Sequence, residues 1–90
     1  MDKYLLISNF NMFTINQDVL LIDENTNESV VIGHFSLENL PKALIEYAYT
    51  NDVYKIKLFN GSKYIPLIEY EVKSQEKLKY NKNKIEIEVI

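Results

Sequence analysis

The residues of this chain that could do chemistry are few and scattered. The sequence contains one histidine, His34, and no cysteine, so a thiolate zinc site and a disulfide framework are both excluded. A lone histidine without a base–nucleophile set is more often a surface residue than a catalyst. Acids that could hold a hard cation surround one predicted turn: Asp18, Asp23, Glu24 and Glu28. Their spacing lacks the alternation of a calcium loop, so we expect a solvated turn, no metal and no cofactor.

A second candidate for chemistry is the segment Asn60, Gly61, Ser62 and Lys63, which follows a predicted strand and precedes a predicted helix. Backbone N–H groups at such a position can cradle an anion, with Ser62 and Lys63 assisting. The segment lacks the further glycines and the GK[ST] ending of a Walker loop. The more common alternative is an Asn-Gly turn that leads into a helix cap.

Composition and charge favour a single domain, residues 1–90, that does not bind nucleic acid. Ninety residues, 47% of them hydrophobic, suffice for one core without metal or disulfides. The net charge is −3 and all ten basic residues are lysines. Nonspecific binding of nucleic acid requires net positive charge, and arginine is the side chain best suited to phosphate and guanine contacts.

The sequence predicts a cytoplasmic protein. No apolar run approaches membrane-spanning length, so we expect no membrane contact, and no signal-peptide pattern is visible at the N-terminus. The chain has eleven isoleucines, ten asparagines and ten lysines without arginine, a bias typical of A+T-rich genomes. Low-GC bacteria and their phages have such genomes, so we expect the protein in a bacterial host cell or a virion.

The hydrophobic pattern predicts strands at residues 4–7, 19–22, 30–32, 53–59 and 85–89. The second and third strands form a hairpin around the polar turn 23–28. The first strand is apolar on both sides, which is typical of a central strand. The last strand alternates isoleucine with glutamate, which indicates one solvated face.

Two segments have helical character. The first helix has Asn39 as N-cap and Pro41 at the second helical position, where the missing N–H costs nothing, and it ends at 51–52. Residues 64–80 could form either a strand or a helix. Pro66 would restrict a strand to the sheet edge, and the good helix formers from 72 to 79 favour a helix.

The resulting order β-β-β-α-β-α-β predicts an α/β (α+β) fold with a five-stranded mixed sheet. If the strands are arranged 3-2-1-4-5, right-handed crossovers place both helices on one face. The opposite face would be apolar on the first three strands and charged on the last two. Large exposed apolar patches mark interaction surfaces, so we expect a homodimer or a protein partner to bury this face. The expected interface residues are Tyr4, Leu6, Phe10, Met12, Phe13, Lys55, Lys57, Glu86 and Glu88.

This element order resembles the ribonuclease H-like superfamily. In nucleases of that superfamily, an aspartate on the first strand, a glutamate in the first helix and an aspartate ending the fourth strand bind metal. Here only Glu46, in the first helix, matches by position. The first-strand place holds Ser8 or Asn9, and the fourth-strand place holds Asn60. The resemblance therefore implies the scaffold without the nuclease chemistry.

Two functional hypotheses follow, besides the binding of a small ligand at the Asn60-Gly61 turn. The first is a non-catalytic protein-interaction module, encoded by a phage or another mobile element, that associates with itself or docks onto a host or virion protein. An inhibitor of a host defence system and a virion accessory protein are concrete forms of it. The alternative is a degenerate ribonuclease H-like domain that binds nucleic acid or is related to nucleases. That alternative needs a basic groove, and the acidic composition does not indicate one.

Overall fold

The computed structural model describes residues 3–7, 16–59, 65–79 and 85–90. Along this part of the chain the elements are β1 (Lys3–Ile7), β2 (Gln17–Asp23), β3 (Ser29–Phe35), α1 (Leu40–Thr50), β4 (Lys55–Leu58), α2 (Ile65–Lys79) and β5 (Glu86–Val89). The predicted α+β order β-β-β-α-β-α-β is confirmed. The ambiguous segment around Pro66 is a helix.

The described strands form one five-stranded mixed sheet in the order β3-β2-β1-β4-β5. β2 is antiparallel to both β1 and β3, and it forms the predicted hairpin with β3. β1 is parallel to β4, and β4 is parallel to β5. β1 is therefore the central strand, as its continuous apolar run indicates.

One face of the sheet and the helices α1 and α2 enclose the hydrophobic core. Alternate residues of β1 and β4 are fully buried on this face, namely Leu5, Ile7, Ile56 and Leu58. The helices contribute buried side chains at helical spacing: Leu40, Leu44, Ile45, Ala48, Ile65, Ile68 and Val72. α1 and α2 also contact each other, so both helices cover the same face of the sheet, as predicted.

The other side of β1 is less buried. Tyr4 and Leu6 alternate with Leu5 and Ile7 along the strand, and they are only half-buried. The reason is topological, because both crossovers place their helices on the opposite face.

The start of α1 is fixed by a turn at Ser36. Asn39 occupies the N-cap position and Pro41 lies in the first turn, as predicted, but the Asn39 side chain makes no capping hydrogen bond. Instead its Nδ2 donates to Ser36 Oγ at 3.1 Å. At the C-terminal end, Nδ2 of Asn51 donates to the Tyr47 carbonyl at 2.9 Å.

Gly33 allows β3 to approach α1 closely. A Cβ atom at this position would lie 2.5 Å from Cε2 of Phe35 and 2.8 Å from Oη of Tyr47. These two rings pack edge to face, with centroids 5.5 Å apart. The β2–β3 register also shifts next to this residue, between Val19 and Leu20, so a β-bulge bends the edge strand at the same place.

Candidate functional site

The sheet face away from α1 and α2 carries the candidate functional surface, which we call the open face. In the antiparallel register, Leu6 pairs with Leu20, and Leu20 pairs with Val31. Residues that are directly opposite each other share a face of the sheet. On the first three strands the register therefore assigns these residues to the open face: Tyr4, Leu6, Asp18, Leu20, Ile22, Ser29, Val31 and His34.

Four of these side chains form an apolar strip across the open face, namely Leu6, Leu20, Ile22 and Val31. Val31 is 48% exposed, and the other three are half-buried. None of the four belongs to the core under the helices. The strip is thus a separate apolar surface on the side of the sheet opposite the two helices.

A charged cluster of Lys57, Tyr4 and Glu24 borders this apolar strip. Nζ of Lys57 lies 4.1 Å from the centroid of the Tyr4 ring and 3.6 Å from Oε1 of Glu24. The Lys57 side chain is only 19% exposed, so the cation–π contact is partly shielded and contributes about 0.5–2 kcal/mol. The structure therefore brings two predicted interface residues, Tyr4 and Lys57, into direct contact.

β4 and β5 give the open face a column of lysines beside a column of glutamates. Lys55 pairs with Glu86 and Lys57 with Glu88 in the parallel register, and neighbouring opposite charges of this kind contribute roughly 0.2–1 kcal/mol each. The ion pair that Lys57 forms is with Glu24 of the hairpin turn. A depression of about 420 Å³ lies beside the two columns, and its lining residues are Lys55, Lys73, Glu86, Ile87 and Glu88.

His34 lies opposite Asp18, on the same face as the apolar strip. The His34 Nδ1 and Asp18 Oδ1 atoms are 2.5 Å apart. The two side chains are 63% and 57% exposed, and an exposed pair of this kind contributes only about 0–1 kcal/mol. His34 is therefore a surface residue held by a carboxylate.

The grouping of Asp18 with the acids of the hairpin turn is wrong. Asp18 lies at the opposite end of β2 from Asp23, about 16 Å away at a rise of 3.3 Å per residue. The turn itself is closed by its own hydrogen bonds: Asp23 Oδ1 accepts from the Asn25 N–H at 2.9 Å, and Asn27 adopts a left-handed conformation. Among the described residues, no three His, Asp or Glu side chains lie close enough together to hold a metal ion.

Two sets of predicted site residues lie outside the described part of the chain, and the predictions for them stay predictions. The first set belongs to the expected interface and consists of Phe10, Met12 and Phe13. The second set is the expected anion site, which consists of Asn60, Gly61, Ser62 and Lys63. Ser8 and Asn9 are also outside it, whereas Glu46 is an exposed residue of α1.

The sequence pattern did not identify Leu20, Ile22 and Val31 as surface residues. All three belong to runs that are apolar at every position, so alternation does not show which side chains face the helices. Their orientation depends on the register of β2 against β1, which joins residues distant in sequence. The predicted hairpin was the available signal, because its register assigns alternate residues of β2 and β3 to one face.

Comparison with known proteins does not assign the chain to a family. In the described part of the chain, no helix combines the length and the apolar character that a membrane crossing needs. No family model, no curated protein and no solved structure matches the chain. A functional conclusion must therefore come from the geometry of the surface itself.

Proposed function

We propose that this protein is a non-catalytic protein-interaction module that associates with a second copy of itself through the open face. The observation that supports this most is the apolar strip of Leu6, Leu20, Ile22 and Val31 on the side of the sheet opposite both helices. Apolar surface of this kind on a small domain favours association, because it is removed from water when a second surface covers it.

The strip is large enough for weak association. Full burial of such a side chain stabilises by about 1.5–3 kcal/mol, and roughly half of that remains to be gained here because three of the four are already half-buried. Eight side chains in two copies would thus contribute about 8 kcal/mol in total. This gain exceeds the lower end of the association cost, which is about 4–15 kcal/mol, by about 4 kcal/mol. We therefore expect a weak dimer that forms as the concentration rises.

The charges beside the strip are compatible with self-association. The open face carries lysines on β4 and glutamates on β5. A face with both signs can be packed against its own copy so that a lysine of one protomer meets a glutamate of the other. A face of one sign would instead repel its copy.

A phage or another mobile element is our proposed source, on the strength of the A+T-type composition alone. In that setting a host protein or a virion protein is the alternative occupant of the open face. The ribonuclease H-like scaffold is a further proposal, supported by the element order β-β-β-α-β-α-β. No described cluster of acids favours a nuclease reaction on it.

Sedimentation equilibrium at rising protein concentration tests the proposal. We expect the average mass of the wild-type protein to rise towards that of a dimer, and we expect Leu20→Lys to remain monomeric because it places a charge in the strip. The matched control is Leu67→Lys, which changes the same side chain at an exposed position of α2 and should leave the association unchanged. A wild-type protein that stays monomeric up to about 1 mM, the concentration scale of 4 kcal/mol, contradicts the proposal.

A further inference from the structure

The backbone groups on the outer edge of β5 have no partner strand in the described part of the chain. Among the described strands, only β4 lies beside β5. The N–H groups of Glu86 and Ile90 donate to carbonyl groups on the β4 side, at 2.8 and 2.9 Å. Because the hydrogen-bonding groups of a strand alternate between its two sides, Ile87 and Val89 direct their N–H and C=O groups to the outer side. A further strand could therefore hydrogen-bond there without disturbing the β4–β5 pairing.

The side chains along this edge have a defined pattern. Glu86 and Glu88 are exposed on the open face, whereas Ile87 and Val89 point to the other face, where Val89 is 43% exposed. On its inner side, β5 pairs with β4, in which lysines alternate with apolar residues. The register places a lysine of β4 beside each glutamate of β5. A strand with the same alternation of basic and apolar residues would also be complementary to the side chains of β5 at its outer edge.

A second copy of β5 does not fit this edge. If two β5 strands paired antiparallel with their helices on the same side of the sheet, glutamates would stand opposite glutamates. Like charges directly opposite each other destabilise a strand pair. The outer edge of β5 therefore favours a different partner from the one proposed for the open face.

A surface depression lies next to β5. The depression of about 420 Å³ is lined by Glu86, Ile87 and Glu88 of β5 and by Lys55 of the neighbouring β4. A new strand would lie about 4.8 Å from β5, on the side away from β4. Lys73 of α2 also lines the depression, but its charge is paired with Glu69 at 3.1 Å.

We infer that the outer edge of β5 binds an extended segment of a partner protein in which basic and apolar residues alternate. The segment adds a sixth strand to the described sheet, a mode in which backbone hydrogen bonds supply affinity and side chains supply specificity. Ile87 and Val89 provide the backbone bonds. Glu86 and Glu88 select the basic side chains.

A titration followed by NMR tests this inference, with a short capped peptide of alternating lysine and valine as the probe. The amide resonances of Ile87 and Val89 should shift saturably, and exchange of their amide hydrogens should slow. A control peptide with glutamate in place of each lysine should bind at least about tenfold more weakly, because each cross-strand attraction becomes a repulsion.

Two variants separate the backbone contribution from the charge contribution. Val89→Pro removes an outward-facing donor at an edge position where proline is tolerated, and it should abolish binding of the lysine peptide. The double variant Glu86→Gln and Glu88→Gln keeps the backbone groups of the edge, and it should lose the preference for the lysine peptide over the glutamate peptide. This variant tests the inference independently of whether Val89→Pro folds. Equal binding of both peptides to the wild-type protein, or shifts confined to Leu20 and Val31 on the open face, would overturn the inference. Loss of self-association by Leu20→Lys with peptide binding intact would show that the two surfaces act independently.

Discussion

Two neighbouring leucines in the central strand test whether the sheet is covered on one side only. Leu5 is fully buried under the helices, whereas Leu6 is half-buried on the open face. Leu5→Ala leaves an enclosed cavity and should lower the free energy of unfolding by about 2–5 kcal/mol. Leu6→Ala leaves no enclosed cavity in a single molecule, because the side chain is only partly buried. It should therefore lower the free energy of unfolding by about 1 kcal/mol or less, the part of the leucine transfer free energy that partial burial provides.

The same pair separates folding from association. In a dimer, Leu6→Ala removes about 1 kcal/mol of favourable association free energy in each of the two copies. The dissociation constant should therefore rise about 30-fold. Urea denaturation at low protein concentration measures the free energy of unfolding of each variant, and sedimentation at high concentration measures the dissociation constant of the dimer. If both alanine variants lose the same free energy of unfolding at low concentration, the chain itself covers both faces of the sheet. The reasoning would then be refuted.

Three further predictions follow from contacts elsewhere in the structure. Gly33→Ala should lower the free energy of unfolding by about 1–3 kcal/mol by overpacking, and thermal denaturation should show a smaller loss in a Tyr47→Phe background, where one of the clashing atoms is absent. Lys57→Gln should cost about 0.5–2 kcal/mol through the lost contact with Tyr4, and an equal cost for Lys55→Gln in urea denaturation would argue against that contact. Addition of magnesium or manganese should neither produce cleavage of DNA or RNA nor raise the melting temperature, and metal-dependent cleavage would favour the nuclease-related alternative.

Local signals in the sequence were enough to predict most of the fold. The polar turn between two apolar runs predicted the hairpin, and Asn39 with Pro41 marked the start of α1. Glutamate alternates strictly with isoleucine and valine in β5. This alternation predicted that the glutamates face solvent, because residues at every second position of a strand lie on the same face. Glu86 and Glu88 are exposed accordingly.

The open face could be predicted only in part, because its composition depends on long-range register. Leu20 and Leu21 are identical neighbours, and only pairing with β1 places the first on the open face and the second against the helix-side core. The Lys57–Glu24 ion pair likewise joins β4 to the hairpin turn, which are far apart in the sequence. Such pairings are set by the packing of the whole sheet and have no local signature.

The most direct test of self-association through the open face is an isotope-filtered NMR experiment on an equal mixture of labelled and unlabelled protein at high concentration. Methyl groups of Leu6, Leu20 and Val31 should show nuclear Overhauser effects to the other copy, and those of Leu5 and Ile56 should show none. An absence of intermolecular effects from the first three side chains, in a sample whose rotational correlation time is that of a monomer, would contradict the proposed function.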